Sequence, residues 1–117
     1  MKATAALIAL PALAGCPTAS TSADPQQVFF ERLRSLCGGA YEGRVVSSDA
    51  ADRDIAASRL VMHVRDCSDD VVRIPFHVGS NRSRTWVISR TAAGLRLKHD
   101  HRHEDGSEDP VTQYGGD

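Results

Sequence analysis

The architecture is written most clearly in residues 71–90, Val71-Val72-Arg73-Ile74-Pro75-Phe76-His77-Val78, then Gly79-Ser80-Asn81, then Arg82-Ser83-Arg84-Thr85-Trp86-Val87-Ile88-Ser89-Arg90. Val72, Ile74, Phe76 and Val78 alternate with Arg73 and His77, so the segment has the two-residue period of a half-buried strand. The glycine-containing turn is followed at once by a second alternating run around Trp86 and Ile88. Two alternating runs joined by three turn residues form an antiparallel hairpin. Pro75 has no N–H to donate to a ladder, which predicts an edge position or a bulge.

The same grammar extends in both directions. Upstream, Arg59 to Cys67 reads as a strand with Leu60, Met62 and Val64 on one face and Val61, His63 and Arg65 on the other, closed by the turn Ser68-Asp69-Asp70. Tyr41 to Ser47 reads as an earlier strand, and Ser48 to Ser58 as a polar loop or short helical turn. Downstream, Thr91-Ala92-Ala93-Gly94 turns the chain into a fifth strand, Leu95 to about His103. Short turns between consecutive strands imply an antiparallel meander, with one apolar face per strand to be buried by curling or packing.

Before the strands the period changes. Val28, Phe29, Leu33, Leu36 and Cys37 share a helical face, Asp24-Pro25 supplies a cap and a first-turn proline, and Gly38-Gly39 a stop. The expected fold is mainly β: one short helix, then about five antiparallel strands.

The first residues concern compartment. Lys2 is followed by an apolar run from Ala3 to Ala14, the pattern of a secretory signal and too short for a membrane span. Its exit, Leu13-Ala14-Gly15-Cys16, resembles the lipobox of bacterial lipoproteins, which implies that Cys16 carries lipid and becomes the N-terminus. Residues 1–15 are then a signal peptide, residues 16–25 a small, polar, proline-bounded tether, and residues 26–117 the folded domain. The resemblance places the chain in the cell envelope, anchored by lipid and facing the periplasm. Pro17, in place of an aspartate after the cysteine, favours the outer membrane.

The cysteine count follows from this. Of three cysteines, Cys16 takes lipid, and Cys37 and Cys67 remain to pair in an oxidising compartment. A bridge across thirty positions contributes roughly 3–4 kcal/mol on a chain-entropy account.

Composition narrows the functional classes. Fourteen basic side chains against fifteen acidic ones argue against general nucleic-acid binding. Signatures such as a GxSxG elbow, an HExxH helix or a phosphate-cradling glycine loop do not occur, and no cysteine is left as a nucleophile. A triad from His63, Asp66 or Asp100 and a serine uses residue types too common to be informative, so the chain leans away from enzymatic activity.

The densest chemistry is Lys98-His99-Asp100-His101-Arg102-His103-Glu104. On a strand, His99, His101 and His103 project from one face, neighbours roughly 7 Å apart. Two imidazoles at that spacing can share a zinc or copper ion, with a further ligand from His63, His77 or Glu104. The alternative is a polar, solvated strand end. Glu104 to Asp109 is an acidic turn without EF-hand spacing. Arg82, Arg84, Arg90, Arg96 and Arg102 surround the single tryptophan, Trp86, and one is a candidate to stack on its ring. His63, His77, Arg84 and Trp86 together make a second candidate polar or ligand site.

Five phrases carry a wider resemblance: Tyr41-Glu42-Gly43-Arg44-Val45, Ile74-Pro75-Phe76-His77-Val78-Gly79, Arg82-Ser83-Arg84-Thr85-Trp86, Leu95 through Ser107, and Tyr114-Gly115-Gly116-Asp117. From Phe30 onward the chain resembles a functionally uncharacterised family of small secreted proteins and lipoproteins of Gram-negative bacteria. The resemblance implies a lipocalin-like antiparallel barrel, only partly built here, because related chains continue past this C-terminus and this one looks truncated. Five strands in an open sheet leave two edges, which favour self-association. The expected role is non-enzymatic, as a small-molecule-binding or structural and interaction module. A periplasmic metal-binding protein is the runner-up and an enzyme of unknown class the third reading.

Overall fold

A computed structural model describes residues 23–117. The expected signal peptide, the lipid-bearing Cys16 and most of the tether lie outside the described residues. Helix α1 spans Pro25–Arg34. The Asp24 carboxylate accepts from the Gln26 N–H at 3.0 Å, Pro25 occupies the first turn, and Arg32 and Arg34 lie at the negative end of the helix dipole. The chain turns out of the helix through Gly38, whose φ of +87° suits glycine alone.

Seven strands follow, all antiparallel: β1 (Ala40–Gly43), β2 (Leu60–His63), β3 (Asp66–Cys67), β4 (Val71–Val78), β5 (Asn81–Thr91), β6 (Gly94–His101) and β7 (Tyr114–Gly116). They form one sheet in the order β1-β2-β4-β5-β6-β7, with β3 also paired to β4. The polar stretch between β1 and β2 holds a 3-10 turn (Ala50–Asp52) and α2 (Arg53–Ala56). The antiparallel meander expected from the turn spacing is therefore present. It is an open sheet among the described residues, with β1 and β7 as its edges.

Three differences from the sequence reading have physical causes. The second strand is two strands. At its break, Val64 exchanges hydrogen bonds with Gly38 and Gly39 instead of with β4, which turns its side chain wholly into the core. The first strand is shorter than Tyr41 to Ser47, because only Ala40–Gly43 finds partners on β2. A further strand, β7, forms from a segment with only one large side chain, Tyr114, and so no alternation to read. Pro75 is not on an edge. It lies in a central strand opposite the gap between β2 and β3, and the register shifts by one residue between Phe76 and Val78. A neighbour that has left the ladder and an adjacent bulge are circumstances that tolerate a missing donor.

The core is small. Phe30 from α1 packs with Val64, Val72, Ile74 and Ile88, and Leu33, Leu36, Met62, Cys67, Trp86 and Leu95 close around them. Cys37 and Cys67 form a disulfide with Cα atoms 6.3 Å apart, tying the segment after α1 to β3. On β5 above this core, the Arg90 guanidinium lies 4.4 Å over the Phe30 ring and pairs with Glu31. The helix is thus held to the sheet by burial, a covalent bridge and a cation that its own chain neutralises.

Candidate functional site

The strand registers place side chains in rows across the face of the sheet that α1 covers, its inner face. One row runs Val72, Ile88, Leu97; the next runs Ile74, Trp86, His99, Tyr114; the last runs Met62, Phe76, Arg84, His101. The first row lies under Phe30. Beyond it the rows become aromatic and polar.

Phe76 and Trp86 stack with ring centroids 5.0 Å apart and planes 9° apart. His99 packs at 4.6 Å on the ring of Tyr114 and at 5.8 Å on that of His101. His99 is only 8% exposed, and its Nδ1 has no hydrogen-bond partner among the described residues. Burial, the neighbouring His101 and the positive Arg84 hold its imidazole below the ordinary histidine range, against a smaller opposite pull from Asp100. The ring is therefore neutral at pH 7.

Arg84 is the centre of the cluster. Its Nη1 is buried and unpartnered, and among the described residues its guanidinium makes no hydrogen bond or ion pair. The other half-buried arginines are paired, Arg34 with Glu31 and Asp69, Arg90 with Glu31. Arginines without a carboxylate, such as Arg44 and Arg73, are exposed and need none. Nearby acids are committed elsewhere. Asp100 accepts from Arg102 and Gln113, Glu108 accepts from the same two side chains, and Asp109 takes the Val111 N–H while lying 3.7 Å from His101.

Two concavities adjoin the rows. A cleft of about 700 Å3 is lined by residues 80–83 of the β4–β5 turn and by His101, Arg102, His103 and Glu104, so His101 belongs both to the cleft and to the cluster. On the helix side, an apolar groove of about 360 Å3 is bordered by Phe29, Ile88, Leu95 and Leu97.

The structure sorts the sequence-derived candidates. His99 and His101 do project together. His103 lies past the end of β6, in a turn where its N–H donates to Ser107, so strand alternation no longer directs it. Among the described residues no group of three or more His, Cys, Asp or Glu side chains is arranged to hold a metal ion. His63 and His77 lie on the opposite face of the sheet from Arg84 and Trp86, since each is one residue away from an inner-face position, Met62 and Phe76. There, burial and the charges of Arg82, His63 and Arg65 lower the pKa of His77. Among the described residues no arginine stacks on Trp86; its ring partner is Phe76, and a cation lies over a ring where Arg90 covers Phe30. His63 and Asp100 share the outer face but stand three strand spacings apart, roughly 14 Å, too far for a triad. Tyr114, on the strand the sequence did not reveal, is the main addition.

Neither a protein-family model, a curated protein nor a solved structure matches the chain. Function rests on the residues themselves.

Proposed function

We propose that the chain is a lipid-anchored protein of the bacterial cell envelope, attached through Cys16, whose folded domain is non-enzymatic and binds a small molecule on the inner face of its sheet. The observation that carries the binding reading is the change of character along that face. Under α1 it is a closed apolar core, and beyond α1 it is an aromatic and polar cluster of Phe76, Arg84, Trp86, His99, His101 and Tyr114. A few convergent polar groups among aromatic side chains, next to a cleft, are the usual composition of a ligand site. The antiparallel meander with a helix against its inner face supports a lipocalin-like reading, in keeping with the resemblance to secreted proteins and lipoproteins. The lipobox and the Cys37–Cys67 bridge support the envelope. No helix among the described residues is long and apolar enough to cross a membrane, so the attachment in this reading is the lipid.

Trp86 is the single tryptophan, so its indole N–H gives one resolved signal in a nitrogen–proton spectrum. Titration of the mature protein with benzyl alcohol should shift that signal saturably, and Phe76→Ala should weaken the response several-fold. A response that stays linear to the solubility limit contradicts the binding reading. For the anchor, labelled palmitate should enter the wild-type chain and not Cys16→Ala, which should leave the membrane fraction; equal labelling or equal membrane retention contradicts it.

A further inference from the structure

Among the described residues nothing pairs with the Arg84 guanidinium, and that defines what the cluster takes. The geometry points to an anion-binding site in which Arg84 holds the carboxylate or phosphate of a small organic anion, with His99, His101 and Tyr114 as its polar surround and the Phe76–Trp86 pair beside its apolar part. The inference rests on the small-molecule-binding reading above and adds the ligand's charge.

Four observations converge. First, Arg84 is half-buried with an unpartnered Nη1, in a chain that pairs its other half-buried arginines with carboxylates. A buried guanidinium nitrogen without a partner is unfavourable, so a hydrogen-bond acceptor supplied from outside is favoured there. Second, the guanidinium presents a planar fork of donors suited to two-point contact with a carboxylate or phosphate. Third, the adjacent His99 also has an orphaned ring nitrogen although it is more than nine-tenths buried. Arg84 and His99 lie on neighbouring rows of β5 and β6, so both orphaned groups belong to one patch. A neutral imidazole can donate one hydrogen bond to an anion without adding a second positive charge beside Arg84. Fourth, His101, whose strand partner is Arg84, borders the polar cleft at the end of the sheet.

The two charge states near this patch separate anions from cations. A cation would meet Arg84 at close range, and the nearby carboxylates of Asp100, Glu108 and Asp109 already accept hydrogen bonds from other groups. A neutral ligand of the same shape would leave the guanidinium unpaired and lose the contact that discriminates.

The test is an isosteric series followed on the Trp86 indole signal at pH 7: benzoate, phenyl phosphate, benzyl alcohol and benzylamine. Benzoate or phenyl phosphate should bind at least tenfold more tightly than benzyl alcohol, with benzylamine weakest, and the better of the two anions identifies the headgroup. Arg84→Gln should abolish the preference for anions, bringing benzoate and phenyl phosphate to within twofold of benzyl alcohol measured on the same variant. Arg84→Lys, which keeps the charge and loses the fork, should recover part of the preference. If benzyl alcohol binds as well as the anions and Arg84→Gln changes neither, the anion inference fails and the small-molecule reading survives. If none of the four binds, both fail. Stoichiometric zinc binding that abolishes the response to both anions also overturns the inference, because the histidines would then serve a metal.

Discussion

Arg84 and Arg90 stand on the same strand, on the same face, six residues and roughly 20 Å apart. Both are half-buried. Arg90 lies over the Phe30 ring and pairs with Glu31, both supplied by α1. Arg84 has Phe76, Trp86, His99 and His101 around it and pairs with no acid among the described residues. One guanidinium is part of how the helix is fastened to the sheet. The other has a buried Nη1 and no partner among the described residues. A polar group that the fold satisfies belongs to stability, and one that the fold leaves unsatisfied is a candidate for function.

The comparison can be broken most forcefully at the covered end. Phe30→Ala should cost about 3–5 kcal/mol in urea denaturation, because it empties the centre of a small core. Removing the bridge with Cys37→Ala and Cys67→Ala together should cost about 3–4 kcal/mol. A loss below about 1 kcal/mol for Phe30→Ala would mean that α1 does not close this core. At the open end the expected sign is reversed. Arg90→Met removes a charge that has a partner and should destabilise by about 1 kcal/mol. Arg84→Met removes a charge that has none and should stabilise by about 1 kcal/mol. Equal and unfavourable effects would show that the two arginines play the same role.

A smaller effect is expected from pH. The folded state holds the pKa of His99, and on the outer face that of His77, below the ordinary value of 6.5. Above pH 6.5 both rings are neutral whether the chain is folded or not, so this contribution to stability is fully present. As pH falls from 6.5 through the lowered folded values, the unfolded chain takes up protons first and stability is lost. His99→Gln should flatten the decline in urea midpoint between pH 7 and pH 5. An unchanged slope would place the titration elsewhere.

The sequence disclosed the periodic parts of this molecule and little of what depends on register. Val72, Ile74 and Ile88 announced themselves by alternation, and the helix by Asp24-Pro25 and the spacing of its apolar residues. Their partners were harder to see. Phe76 meets Trp86 through a register that includes a one-residue shift after Phe76, and a shift of that kind has no mark in composition. Val64 looked like one more inward residue of a long strand, yet its peptide leaves the sheet to bond Gly38 and Gly39. Of the site, Arg84, Trp86, His99 and His101 were named as candidates but distributed between two groupings. The sheet's two faces regroup them, excluding His63 and His77 and bringing in Phe76 and Tyr114. The missing partner of Arg84 could not be read from a chain with fifteen acidic residues, because only packing shows which of them are already engaged.

The account turns on whether Arg84 awaits an anion. The most direct measurement is the thermal midpoint of wild type and Arg84→Met with rising benzoate at constant ionic strength. Binding to the folded state alone raises stability by about 2.7 kcal/mol at a hundredfold excess over the dissociation constant. Wild type should climb with benzoate from a lower starting midpoint, and Arg84→Met should begin higher and need at least tenfold more benzoate for the same climb. Parallel climbs, or two flat lines, would contradict the assignment of that charge to a ligand.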